Sequence, residues 1–180
     1  MSAGAASVEA LLELAIRHVN AGQRERAQLL CERAVALHPP HPAVQQLLAV
    51  IRLQEGDATA ATALAAASLA LRPGHAPTLR VAADAWFQVS LARHEQRDPA
   101  GEAQALREVL RLAPERVEAE VNLGIVLQDG GDIDAAMCAY GRAYRLREDT
   151  FGRIAHALAT PNVGRVWLQL DDLRAALRAA

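Results

Sequence analysis

The sequence lacks lysine altogether, because all 19 of its positively charged side chains are arginines. A lysine is needed for a Schiff base with a substrate and for the phosphate-binding loop of nucleotide hydrolases, so both kinds of site are excluded. Aromatic residues make up only 3% of the chain, and two cysteines in 180 residues form no disulfide framework. The exclusive use of arginine also predicts a bacterial source with a GC-rich genome.

Strong charge and long apolar runs are missing too. The net charge of -2 gives no basic field that could hold a nucleic-acid backbone. No run reaches the roughly 18 apolar residues that a membrane-spanning helix needs. Met1 to Ala10 has no positively charged start, so we do not expect a secretory signal there. These absences predict a cytoplasmic protein that binds neither nucleic acid nor a membrane.

An internal repeat of 34 residues is present instead. The matching pairs are Gly22 with Gly56, Ala27 with Ala61, Leu37 with Leu71, Pro39 with Pro73, and His41 with His75. Alanine is abundant, which favours helices. Within the first copy, Leu11, Leu14, Ala15 and Val19 follow the three-to-four spacing of one helix face. A repeat of this length predicts stacked helical hairpins.

Two further copies follow, and the first of them is longer. Its closing proline, Pro114, comes 41 residues after Pro73, so seven residues are added between Leu91 and Pro99. We expect them to give a longer first helix and a longer turn. The fourth copy is the clearest, with Leu123, Gly124, Gly131, Ala136, Tyr140 and Ala143 at the expected places.

These residues resemble the tetratricopeptide repeat family. The resemblance implies an all-α, right-handed superhelix, a solenoid of about four helix hairpins. The repeats are expected at about 8–41, 42–75, 76–116 and 117–150, which together form a solenoid over 8–149. In the third copy Glu102, Leu106 and Val109 fit the second helix poorly.

The two ends depart from the repeat. We expect residues 1–7 to be disordered, with Ser7 as the N-cap of the first helix. A capping helix is predicted over 151–160, with Thr150 as its N-cap. The tail over 161–180 is expected to contain an extended segment at 163–170 and a short helix after Asp171. It could fold back on the last repeat, anchored by Trp167, or pair with a partner.

The sequence contains no Walker loop and no GxGxxG, HExxH or GxSxG motif, so we predict no enzyme, no metal and no cofactor. We interpret the pair His38 and His41 as repeated loop residues rather than metal ligands. We expect Cys31 and Cys138 to be buried structural thiols. An arginine-rich stretch could bind an anionic partner, but a solvated face is the simpler interpretation; its members are Arg142, Arg145, Arg147, Arg153 and Arg165.

The resemblance also implies a binding groove lined by the first helix of each hairpin. Carried over, the groove residues are Leu12, Ile16, Val19, Gln46, Val50, Leu53, Arg80, Asp84, Phe87, Val121, Asn122 and Ile125. The lysines and asparagines with which some family members grip a carboxylate tail are replaced, for example by Leu12 and Ile16. The apolar stripe predicts a peptide or amphipathic helix as ligand. Alternatively, some of these side chains belong to the core, or the tail fills the groove.

The leading functional hypothesis is therefore a non-enzymatic scaffold that binds a segment of another protein. Three alternatives stay open from the sequence. The protein could be a bacterial chaperone for a secreted client, an accessory subunit of a larger enzyme, or a homo-oligomeric structural component such as a homodimer.

Overall fold

Helices occupy nearly all of the computed structural model, which describes residues 7–37, 40–159 and 170–180. The helices are α1 (Val8–Asn20), α2 (Arg24–Leu37), α3 (Pro42–Gln54), α4 (Ala58–Leu71), α5 (Ala76–Glu95), α6 (Pro99–Leu112), α7 (Val117–Asp129), α8 (Ile133–Leu146), α9 (Phe151–Ala159) and α10 (Leu170–Ala179). A short 3₁₀ turn, Glu148–Thr150, leads directly into α9. None of the described ranges contains a strand, so this part of the chain is all-α.

Consecutive helices pack in pairs, α1 with α2, α3 with α4 and α7 with α8. In each pair the first helix has 13 residues and the second has 14. The middle residue of the connecting turn has a positive φ, which is 73° at Gly22, 83° at Gly56 and 84° at Gly131. Glycine adopts this left-handed conformation without a steric penalty, which explains why the turn glycine recurs.

Side-chain caps fix the start of the helices. The carboxylates of Asp57, Asp98 and Asp132 each accept a hydrogen bond from the backbone N–H three residues later, over 3.0, 2.9 and 3.1 Å. A cap of this kind stabilises a helix by about 1 kcal/mol. Ser7 acts in the same way on α1, because its Oγ accepts from the Ala10 N–H over 3.3 Å. The predicted Ser7 cap is confirmed.

The third hairpin carries its extra residues in one place. Its first helix, α5, has 20 residues, seven more than α1, α3 and α7. The turn over 96–98 has three residues like the others, so the expected longer turn is wrong. Seven residues make almost two full helical turns, and the insertion therefore keeps the same face of α5 aligned. Arg97 takes the place of the turn glycine with a φ of 55°.

The chain divides into two units, which we call unit 1, ending at Gln88, and unit 2, beginning at Val89. Each has its own buried cluster. The unit 1 cluster consists of Val8, Leu11, Ala15, Ala27, Cys31, Ala34, Val44, Leu48 and Ile51. The unit 2 cluster consists of Val117, Val121, Ala136, Met137, Tyr140, Ala143, Tyr144, Ile154, Leu158, Leu173 and Leu177.

The C-terminal end of unit 2 differs from the prediction at its caps. The Thr150 hydroxyl donates back to the Arg147 carbonyl over 2.7 Å, so Thr150 does not cap α9. Helix α10 begins at Leu170 rather than after Asp171, which lies in its first turn and pairs with Arg174 over 2.8 Å. The carboxylate near the helix start is used there for an ion pair and for the helix dipole.

Helix α10 packs against α8 and places Leu173 and Leu177 in the unit 2 cluster. This part of the tail therefore folds onto the last repeat. The predicted extended segment up to residue 169 and the anchor Trp167 lie outside the described residues.

Candidate protein-binding surface

The first helices of unit 1 expose apolar side chains at equivalent places. Helix α1 lies beside α3. Ile16 on α1 is 42% exposed, and Val50, 34 residues later on α3, is partly exposed. Val19 and Leu53 form a second equivalent pair, and both are partly exposed. Leu12 and Val19 also pack against the unit 1 cluster, so they contribute less free surface than Ile16.

The other predicted groove residues of unit 1 are also accessible. Arg80 and Asp84 on α5 are exposed, and Gln46 on α3 and Phe87 on α5 are partly buried. A surface that alternates apolar anchors with polar and charged side chains can bind an amphipathic segment. The structure thus leaves each predicted residue of unit 1 within reach of solvent.

In unit 2 the predicted groove residues are less accessible and make contacts within the fold. Val121 is 0% exposed and belongs to the unit 2 cluster, so its assignment to the groove is wrong. Asn122 accepts a hydrogen bond at its Oδ1 from the Arg153 guanidinium of α9 over 2.9 Å. Ile125 packs against the unit 2 cluster and is partly buried. These side chains serve mainly to hold the fold.

Helix α9 explains why the predicted groove residues of unit 2 are less accessible than those of unit 1. The Gln128 side-chain amide on α7 donates to the Ala157 carbonyl on α9 over 3.0 Å, and the Tyr140 hydroxyl donates to Gln128 Oε1 over 2.9 Å. Burial raises the pKa of Tyr140 well above its ordinary value, and the charge of Asp129 adds to the effect. A buried polar chain with satisfied hydrogen bonds rigidifies its surroundings. The last hairpin is therefore covered where the first two are open.

Sequence reasoning missed a polar pair in the third hairpin. Glu102 stands where Ala27, Ala61 and Ala136 stand in the other second helices, and it is buried. Its Oε2 lies 3.0 Å from His94 Nδ1, on the added turns of α5. A glutamate in a place reserved for alanine, next to an inserted helical segment, was the signal that could have revealed this pair.

The arginines of the C-terminal third are bonded within the chain. Arg142 Nε donates to Glu120 over 2.7 Å, and this hydrogen bond raises the pKa of Arg142. Arg145 donates to the Leu177 carbonyl over 3.3 Å, and Arg147 pairs with Asp149 over 2.9 Å. These bonds favour a structural interpretation over an anion-binding patch. Arg165 lies outside the described residues.

The two cysteines occupy different environments. Cys31 is buried, and its burial, with a smaller effect of the Glu32 charge, raises the pKa of its thiol to about 11. Such a thiol is inert near neutral pH, as expected for a structural residue. Cys138 is exposed, so the expectation that it is buried is wrong. It lies on the outer side of α8, next to the buried Met137 and Ala139.

The histidines that recur between repeats make different side-chain contacts. His41 occupies the N-cap position of α3 without a side-chain cap bond, whereas His75 Nδ1 lies 2.8 Å from the Thr78 hydroxyl. His38 lies outside the described residues. Within the described ranges, no group of three or more His, Cys, Asp and Glu side chains could hold a metal ion.

Comparison with known proteins agrees with this architecture. Residues 8–51 match the family model of the tetratricopeptide repeat. The resemblance to tetratricopeptide repeats is confirmed. The fold class, an all-α solenoid of helix hairpins, is also confirmed by similar solved structures.

Three of those structures illustrate the likeness. A crystal structure of MamA has a TM-score of 0.57 and 19% identity, and the match covers 81% of each chain. A structure of MamA from AMB-1 also has a TM-score of 0.57, with 21% identity over 83% of this chain and 78% of that one. A chain of the APC/C hetero-tetramer Cut9–Hcn1 has a TM-score of 0.53 and 15% identity, covering 86% of this chain and 30% of its own. At these identities the likeness establishes the fold alone.

No curated protein sequence matches this one. Among the described residues, no helix combines the length and the apolar character that a membrane crossing requires. The tetratricopeptide repeat fold is one that generally serves as a scaffold for protein–protein interaction. Fold alone does not identify the partner or the site, because both depend on the side chains at the surface.

Proposed function

We propose that this protein is a non-enzymatic interaction scaffold that binds an amphipathic segment of another protein on unit 1. The binding surface is the front face, which we define as the exposed side of α1 and α3 with Ile16, Val19, Val50 and Leu53. The observation that supports it most strongly is the exposure of apolar side chains at the same place in two adjacent helices. Clustered apolar exposure of this kind is typical of interaction sites.

The composition of the front face favours an amphipathic ligand over a wholly apolar one. Glu13 and Arg17, which flank Ile16 in the sequence, form an exposed ion pair on α1 with a separation of 3.8 Å. Arg80 and Asp84 add charges of both signs on α5. A ligand that presents apolar residues to Ile16 and Val50 and polar residues to these charges leaves no charge buried without a partner.

The test is an affinity pull-down from a lysate of the source organism with three purified forms of the full chain. The front-face variant carries Ile16→Glu and Val50→Glu. The matched control carries Leu29→Glu, which adds a charge at a 65% exposed leucine of α2. Circular dichroism checks that all three forms keep their helices.

We expect the wild type and Leu29→Glu to retain the same protein and the front-face variant to lose it. Burying one aliphatic side chain contributes about 1.5–3 kcal/mol, so two charges at the anchors should weaken binding by well over tenfold. Equal retention by all three forms would contradict the proposal. A doubled mass in light scattering that only the front-face variant abolishes would instead favour the homodimer alternative.

A further inference from the structure

A pocket with a volume of about 560 Å³ lies in unit 2, where the end of α5 meets α6 and α7. Its principal lining side chains are His94 and Glu95 of α5, Glu102 of α6, and Ile125, Val126 and Asp129 of α7. Ile125 is one of the groove residues that were predicted from the sequence. The pocket lies wholly within unit 2, so a ligand bound there would not need the front face of unit 1.

The pocket exists because of the two extra helical turns in α5. His94 and Glu95 both lie in the last two turns of this helix, beyond the length of α1, α3 and α7. In the other second helices the place of Glu102 holds a fully buried alanine, at Ala27, Ala61 and Ala136. The added helical turns of α5 and the glutamate at residue 102 thus occur in the same hairpin, and both contribute to the same wall of the pocket.

The pocket combines an apolar floor with an acidic wall. Val126 is buried and Ile125 is partly buried, so they offer an apolar surface. The Glu102 side chain is only 11% exposed and its carboxylate lies 3.0 Å from His94 Nδ1. Glu95 and Asp129 are exposed at the rim. A carboxylate in so little solvent interacts with a nearby cation more strongly than one in open water.

The remaining lining charges leave the wall acidic. Asp98 pairs with Arg93 over 3.3 Å, so its charge is largely compensated. Among the described residues that line the pocket, Arg97 at the turn is the one arginine. Three carboxylates, those of Glu95, Glu102 and Asp129, therefore face one arginine and one histidine. The balance favours a positively charged ligand.

We propose that this pocket binds an arginine side chain presented by a partner protein. The aliphatic part of an arginine would cover Ile125 and Val126, because such stems pack readily on apolar surfaces. The planar guanidinium would donate to Glu102 and Asp129, since its fork of N–H groups matches carboxylates. Charge complementarity and the apolar floor together select arginine over an apolar or acidic residue.

The experiment titrates the full chain with N-acetyl-arginine methylamide and follows backbone amide signals by NMR. The reference ligand is N-acetyl-citrulline methylamide, which has nearly the same shape but no charge. Glu102→Gln and Asp129→Asn are the test variants. Glu115→Gln, at an exposed glutamate between α6 and α7, removes the same charge elsewhere in unit 2.

We expect saturable shifts at residues 102, 125, 126 and 129, with an affinity about tenfold higher for the arginine than for the citrulline ligand. Each test variant should lower the arginine affinity severalfold, while Glu115→Gln leaves it unchanged. Higher salt should weaken binding. Equal affinity for both ligands, or no saturable shift, would overturn the proposal. Should Glu102→Gln disturb the fold, Asp129→Asn at the exposed rim still decides the outcome.

Discussion

Units 1 and 2 fill the same place in their hairpins with side chains of very different size. The second helices of unit 1 have Cys31 and Ala65 at this place, whereas those of unit 2 have Leu106 and Tyr140. All four are fully or almost fully buried. Core packing has to be dense in both cases, so the spacing of the helices and the facing residues must differ.

The residue on the first helix that faces this place does differ between the two units. Gly124 on α7 lies directly against the Tyr140 ring. The equivalent residues of unit 1 are Ala15 and Ala49, both fully buried. In the last hairpin a large residue on one helix is therefore matched by glycine on the other, and in the first two hairpins small residues are matched by alanine.

The units differ in a second respect, the covering of their first helices. Val19 and Leu53 of unit 1 are partly exposed, whereas Gln128, at the equivalent place in unit 2, is buried and bonded to α9. Equivalent places in the repeat thus form an open face in one unit and a structural contact in the other. Three pairs of variants would test these differences in core packing and in the turns.

The largest expected effect is the loss of the Tyr140 side chain. Tyr140→Ala should lower the free energy of unfolding by about 3–5 kcal/mol, because it leaves a cavity in the unit 2 cluster. Cys31→Ala, at the same place in unit 1, should cost only about 1 kcal/mol. Urea denaturation followed by circular dichroism measures both values. Similar losses for the two variants would refute the contrast between the cores.

An added methyl group at Gly124 should have the next largest effect. Gly124→Ala should destabilise the protein by about 1–3 kcal/mol, since the new Cβ overlaps the Tyr140 ring. Gly152→Ala is the control, because no atom lies within 4 Å of the new methyl group there. That change should be neutral or stabilise slightly. Thermal unfolding compares the two, and a tolerated Gly124→Ala would mean that the helices separate easily.

The smallest effect concerns the turns. Arg97→Gly should stabilise unit 2 by about 1 kcal/mol. The backbone of Arg97 is left-handed, and this conformation is strained for a residue with a Cβ atom but not for glycine. Gly56→Ala, at the same turn place in unit 1, should destabilise by a similar amount. Urea midpoints for both variants give the sign of each change. If Arg97→Gly lowered stability, the arginine side chain would have to make contacts that outweigh its backbone strain.

The sequence was a good guide to the hairpins and a weaker one to their surfaces. The turn glycines and the helix faces predicted where the hairpins form, since these depend on local conformation and spacing. The seven added residues and the longer first helix of the third copy were also predictable, but the length of the turn that follows was not. A charged helical segment and a charged loop look alike in sequence, and the next turn alone decides between them.

The groove residues show the limit most clearly. Val121 and Val50 both lie in first helices and look equally suitable for a ligand, yet one is buried and the other partly exposed. The contact between His94 and Glu102 could not be predicted from the sequence either, because the two residues are eight positions apart and an inserted segment brings their side chains together. Spacing within one repeat cannot report such contacts.

By itself, then, the sequence determined the helices, the turn conformations and the alternation of large and small residues in each hairpin. These follow from backbone sterics and from apolar periodicity within about 34 residues. Only the tertiary structure decided which faces stay open. Leu14, Leu48 and Leu123 share one place in the repeat, yet they are 42%, 9% and 4% exposed. Their burial depends on whether another helix packs over them, and that is a property of the assembled chain.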